Sequence, residues 1–166
     1  MEQRHMPGVE IVEADLGCVA HQQAVVELID AYAADPMGNG RPLPPEVRGN
    51  LIDGLRRHPT TLILLAWQDG RAVGIAVCFR GFSTFHARPL LNIHDLAVLP
   101  DCRGGGIGRR LLDAVAEKAA QLDCCKLTLE VLENNHRARR LYEAAGFAQA
   151  RYHESAGGSL FYAKPL

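Results

Sequence analysis

Four glycines fall within five positions, Gly104, Gly105, Gly106 and Gly108, and Arg103 and Arg109 bracket them. Before them, residues 91–98 alternate and are rich in aliphatics, which reads as a strand that Pro100 and Asp101 stop. After them, Leu111, Leu112, Val115, Ala119 and Leu122 recur at helical spacing. A glycine-rich turn between a strand and a helix is suited to holding an anion. The first amides of a helix have no intrahelical acceptor, and the helix dipole adds partial positive charge there. Glycines let a diphosphate approach the backbone closely, and the two arginines can add charge-assisted hydrogen bonds.

The spacing excludes two common phosphate loops. A Walker loop ends in Gly-Lys-Ser/Thr, whereas Gly108 is followed by Arg109 and Arg110. A dinucleotide fingerprint needs a third glycine where Arg109 or Leu111 stands. The pattern present is Arg-x-x-Gly-x-Gly, as Arg103, Gly106 and Gly108, preceded by Leu96-Ala97-Val98 and Pro100. About thirty residues downstream stands a second block: Leu129 to Asn135, then Ala138, Leu141-Tyr142-Glu143 and Gly146-Phe147. Together the two blocks resemble the acetyl-CoA signature and the following strand and helix of the GNAT N-acetyltransferase family, over residues 60–150.

That resemblance implies an α/β (α+β) fold. It has a mixed, mostly antiparallel central sheet flanked by about four helices and splayed between the strands at 91–98 and 126–131. Acetyl-CoA is the implied cosubstrate, with its pantetheine arm in the split. The amides of Gly104, Gly105, Gly106, Ile107, Gly108 and Arg109, with the side chain of Arg103, are then expected to hold the diphosphate. Leu96, Ala97 and Val98 are expected to pair with pantetheine through their backbone, as an added strand does, and a backbone amide here can hold the thioester oxygen.

Transfer to an amine also needs proton donors and acceptors. Tyr142 matches the family's general acid, because a phenol with a pKa of about 10 keeps its proton at neutral pH and can give it to a departing thiolate. The same residue shares a helix face with Ala138, Leu141 and Ala145, which a core tyrosine also would. Asn135 matches a cofactor-touching position and is equally suited to cap the helix. His94 is the expected base, because an imidazole accepts a proton near neutral pH. Asn92-Ile-His-Asp-Leu96 resembles the Tyr-Leu-Glu-Asp-Leu stretch of spermidine/spermine-type acetyltransferases, with His94 where the glutamate stands, a departure that weakens any reading as a polyamine enzyme. On a regular strand Asn92 shares the face of His94, and Asp95 points away unless a bulge intervenes. The expected acceptor pocket takes Tyr32, Asp35, Asn92 and Asp95, together with Phe82, Ser83 and Phe85 of a Phe-Ser-Thr-Phe stretch.

The remaining sequence sets the frame. The 166 residues, 48% hydrophobic and 22% charged, fit one domain spanning 1–166 with a core of its own. Residues 9–13 read as a strand, Val19–Ala34 and Glu46–Arg57 as helices, and 35–45 as a Pro/Gly-rich loop. Thr61–Trp67 and Arg71–Arg80 read as a hairpin through Asp69-Gly70, with Gly74 as a bulge. Residues 81–89 read as a connection, Lys126–Val131 as a strand, the stretch capped by Asn134 or Asn135 and running to about Ala145 as a helix, and 148–154 with 159–164 as a closing hairpin. A net charge of -1 does not favour nucleic acid or an anionic membrane as partner. The start of the chain lacks the apolar core of a secretion signal, and no apolar run approaches the ~20 residues of a membrane span. Five cysteines and seven histidines match no zinc or redox spacing, so reduced thiols, a cytoplasmic location and no metal are expected.

The expected activity is therefore direct acetyl transfer from acetyl-CoA to a primary amine of a small molecule. A protein or peptide acceptor and a non-catalytic acyl-CoA sensor are the alternatives. The resemblance leaves a homodimer open, and nothing in the sequence names the amine.

Overall fold

The structure, a computed structural model, describes residues 8–166. The elements in order are β1 (Val9–Glu13), α1 (Val19–Ala34), α2 (Pro45–Arg57), β2 (Thr61–Gln68), β3 (Arg71–Ser83), β4 (Arg88–Val98), α3 (Ile107–Gln121), β5 (Leu127–Leu129) and α4 (His136–Ala144). The described residues form two compact units, the first ending at Leu132 and the second running over Glu133–Leu166.

In the first unit the strands lie in the order β1-β2-β3-β4-β5. The first three pairings are antiparallel and β4–β5 is parallel, which is the mixed, mostly antiparallel sheet that the sequence implies. One face buries Ile63, Leu65, Ile75 and Val77 against Ala24, Val25 and Leu28 of α1 and Leu55 of α2. Strand alternation sends Leu62, Leu64, Ala76 and Cys78 to the other face. That face receives the apolar stripe of α3, in which Leu111 and Val115 are fully buried and contribute about 1.5–3 kcal/mol each. Helix α2 begins with Pro45 and Glu46 and ends with Arg56 and Arg57, so its charges complement its dipole.

Two register shifts shape the sheet. Ala66 faces Gly74 but Trp67 faces Ala72, so the extra residue is Val73, next to the glycine where a bulge is expected. Val77 faces Asp95 but Cys78 faces Ile93, so His94 is the extra residue on β4. A bulge bends its strand and increases its twist. Accordingly β4 pairs with β5 only over Leu91–Ile93, and the pairing stops where the bulge begins. This is why β5 is shorter than the expected 126–131 strand.

Two other expectations are corrected. The connection at 81–89 is mostly strand: β3 runs on to Ser83 and β4 starts at Arg88, leaving a turn at 84–87 that passes through Ala87 at φ +48°. The closing hairpin is not formed. Within the second unit Ser159 N–H donates to the Ala150 carbonyl at 3.1 Å, but the turn is a short 3-10 segment at Glu154–Ala156 and no ladder follows. Leu160, Phe161 and Tyr162 are exposed, and two strands without an apolar surface beneath them are marginal.

Candidate active site

The glycine turn is built by backbone conformation. Gly104 and Gly106 have φ of +82° and +83°, a region that side chains other than glycine strain to enter. Gly106 is the N-cap of α3, and no side chain caps that helix. The first helical bond runs from Arg110 N–H to the Gly106 carbonyl, at 3.1 Å, so the amides of Ile107 and Gly108 precede the helical ladder. A Cβ at Gly104 or Gly106 would meet nothing within 4 Å. An open, uncapped helix start of this kind fits a diphosphate.

The two flanking arginines differ. Arg109 is exposed and its Nε lies 2.9 Å from Asp113 Oδ1, a surface pair one helical turn on that costs little to open. Arg103 is half-buried and turned toward the protein. Its Nε donates to the Val98 carbonyl at 2.8 Å and its Nη2 to Asp35 Oδ2 at 2.6 Å. Of the three β4 residues expected to face pantetheine, Val98 thus has its carbonyl taken, while Leu96 and Ala97 pair with Ala76 and Ile75 on the β3 side.

The bulge gathers side chains that a regular strand would separate. The His94 ring makes an edge contact with Phe79 at 5.4 Å, on the face of α1 and α2. Asp95 lies on that face too, opposite Val77. Burial pushes the Asp95 carboxyl above its ordinary value, and nearby His94 opposes this in part. Tyr32 of α1 is held above its ordinary value by burial first, then by the charges of Asp95 and Asp35. Tyr32, Asp35, His94 and Asp95 therefore form one cluster. On the opposite face, burial and then Asp95 push the Cys78 thiol up to about 12, so it stays protonated and is a poor nucleophile at neutral pH.

The other expected site residues have partners of their own. Asn92 donates from Nδ2 to Thr128 Oγ1 at 3.1 Å and so ties β4 to β5. Phe82 and Phe85 stand 62% and 81% exposed at the β3–β4 turn. Ser83 is buried with its Oγ 3.0 Å from His86 Nδ1. Ser83 is six residues along β3 from Val77, roughly 20 Å at the rise of a strand, so the structure does not bring Phe82, Ser83 or Phe85 to the bulge. Their local motif gave no measure of distance along the hairpin. Phe79, which touches His94, was not singled out, because one aromatic among strand residues carries no local signal.

In the second unit, Asn135 Oδ1 accepts the Ala138 N–H at 3.2 Å and caps α4. Tyr142 is buried on that helix, with its ring 5.9 Å from Phe147. Among the described residues no cluster of His, Cys, Asp or Glu is arranged to hold a metal, and no helix is long and apolar enough to cross a membrane.

A mixed sheet that opens at a bulged fourth strand, beside an uncapped helix led by glycines, is an acyltransferase type of architecture. The chain belongs to the Acetyltransferase (GNAT) family, whose model matches residues 25–147. It is 40% identical over 81 residues to an uncharacterized N-acetyltransferase of Archaeoglobus fulgidus, covering 48% of this chain and 55% of that one. It is 39% identical over 74 residues to the thialysine N-epsilon-acetyltransferase of Bos taurus, covering 45% of this chain and 43% of that one. The chain thus spans about half the length of these curated relatives. The crystal structure of a probable acetyltransferase superposes with a TM-score of 0.78 at 20% identity, covering 95% of this chain and 97% of the other, which is a likeness of fold.

Proposed function

We propose that this chain is an acetyl-CoA-dependent N-acetyltransferase that acts directly on a primary amine of a small molecule. The observation that carries the reading is the pairing of an uncapped, glycine-led helix start with a bulge that half-buries a carboxylate on the preceding strand. When bound, acetyl-CoA supplies an acyl group activated as a thioester. The amides at 104–109 hold its diphosphate, helped by Arg109, and Leu96 and Ala97 hold its pantetheine arm. The thialysine enzyme among the relatives, by its name, modifies a small-molecule amine, which supports a small acceptor here.

The chain's own residues then manage protons. An alkylammonium with a pKa near 10.4 is almost wholly protonated at neutral pH, so the acceptor must lose a proton before it can react. Asp95 is the better base of the bulge pair. Burial raises its pKa, which makes its carboxylate a stronger proton acceptor than a solvated one. His94, exposed beside it, relays that proton to solvent. Tyr142 gives its phenolic proton to the leaving thiolate. Cys78, kept as a thiol by burial, takes no acyl group, which favours direct transfer.

The test is thiol release from acetyl-CoA across polyamines, amino acids, aminoglycosides and short peptides, with wild type and Asp95→Asn side by side. Turnover of one small amine, lowered about a hundredfold in the variant, is expected. CoA binding without turnover of any amine would instead support the sensor alternative.

A further inference from the structure

Helix α2 has a glycine, Gly54, one turn before its end, where glycine costs stability relative to alanine. No turn requires it, since its backbone is helical, and a Cβ there would meet nothing within 4 Å. The space it leaves belongs to a groove of about 450 Å³ between α2 and β3. Val47, Leu51, Leu55, His58 and Phe79 line the groove with it, and Glu46 is the one carboxylate among the lining residues. The groove is not isolated from the bulge. Its Phe79 ring lies 4.7 Å from the ring of His58 and 5.4 Å from that of His94. Three rings therefore lead from the groove to the residue beside Asp95.

Resting on the transferase reading above, we propose that this groove seats the apolar arm of the acceptor. The substrate class is then a primary amine carrying an aryl or alkyl arm on a short spacer. With the nitrogen at Asp95 and His94, such an arm passes Phe79 and lies along Val47, Leu51 and Leu55. A polyamine fits poorly, because its second ammonium would leave water for an apolar lining with only Glu46 to pair it. The open space at Gly54 matches this use, since it leaves the path of the arm clear.

The experiment uses the whole chain, with 2-phenylethylamine binding followed by calorimetry and thiol release measured for ethylamine, butylamine, hexylamine, 2-phenylethylamine and spermidine. Gly54→Leu plugs the groove. Gly49→Leu is the control on the same helix, because its Cβ also meets nothing within 4 Å but it lines a separate cavity with Gln22 and Arg56. The expected result is that kcat/KM rises about three- to fourfold per added methylene. Gly54→Leu weakens 2-phenylethylamine at least tenfold and flattens that series, and Gly49→Leu does neither. A flat series, spermidine as best substrate, or equal behaviour of the two variants would overturn the proposal while the transferase reading stands on any amine that releases thiol. If no amine releases thiol, the transferase reading falls and calorimetry still decides the groove: binding lost only in Gly54→Leu upholds it, and absence of binding ends it.

Discussion

Arg103 and Asp35 meet at 2.6 Å, joining the glycine turn to the residue that closes α1. The arginine of the cofactor signature therefore serves first to fix the turn against the helix, and its second bond, to the Val98 carbonyl, fixes the end of β4. Asp35 also accepts the Met37 N–H at 2.8 Å, so the loop after α1 hangs on the same carboxylate. Asp35→Ala and Arg103→Ala should each cost about 1–3 kcal/mol, less than for a fully buried pair because both groups keep some solvent contact. A double-mutant cycle on melting curves should give a coupling of about 1 kcal/mol. Both variants should weaken CoA by similar factors in calorimetry. A loss tenfold larger for Arg103→Ala would mean that its guanidinium holds phosphate directly.

Asp95 carries a stability cost with a definite sign. Its pKa is raised by burial in the folded chain, so the folded form binds the proton more tightly than the unfolded one. The cost is absent below the ordinary carboxylate range and is fully present above the raised value. Asp95→Asn should therefore raise the melting temperature at pH 7–8, by about 2–4 °C per kcal/mol recovered, and the gain should vanish toward pH 3–4. The same variant should lose about a hundredfold in kcat. A stable but inactive variant would mark a carboxylate kept buried for chemistry. Loss of stability at neutral pH would show that Asp95 is structural.

The elements were legible wherever a local pattern fixes them. Leu111, Leu112, Val115 and Ala119 announce α3, and Asp69-Gly70 announces the hairpin between β2 and β3. The anion-holding turn was legible because glycine at a left-handed position is a local demand. The bulge was not, because one extra residue in β4 is decided by its pairing with β3, and the stretch around His94 reads equally well as a regular strand. With the bulge, the faces of His94 and Asp95 merge, so Asp95 joins His94 as a candidate for the base. The closing hairpin failed for a related reason. The run Leu160–Ala163 is apolar enough for a strand, but a strand needs a partner ladder, and among the described residues Ser159–Ala150 is the single backbone bond that joins the two segments.

Tyr142 lies within the second unit, buried and in ring contact with Phe147. Phenylalanine keeps that packing and removes only the hydroxyl, so Tyr142→Phe should cost no more than about 1–1.5 kcal/mol in stability. If the phenol protonates the leaving thiolate, kcat should fall about tenfold or more while the KM for acetyl-CoA stays near wild type. Steady-state thiol release at saturating amine separates the two parameters. An unchanged kcat beside a lowered melting temperature would make Tyr142 a core residue.

Gly74 sets how closely α3 approaches the sheet. A Cβ there would lie 3.1 Å from Leu111 Cδ1, 3.2 Å from Ile107 Cγ2 and 3.2 Å from the Ala97 carbonyl oxygen. Ile107 is the first residue of α3 and Ala97 belongs to the β4 stretch proposed to hold pantetheine, so one methyl would push on both halves of the cofactor site. Gly74→Ala should destabilise by about 1–3 kcal/mol through overpacking, and it should weaken CoA binding as well. Gly81→Ala is the matched control on the same strand. Its Cβ would touch only the Leu90 side chain, at 3.3 Å, far along the hairpin from the turn. Melting curves and CoA calorimetry on the two variants should separate them, with Gly74→Ala losing both stability and affinity and Gly81→Ala keeping its affinity. Equal CoA affinity in the two would mean that the start of α3 can shift without disturbing the phosphate site, and that the turn glycines alone determine its geometry.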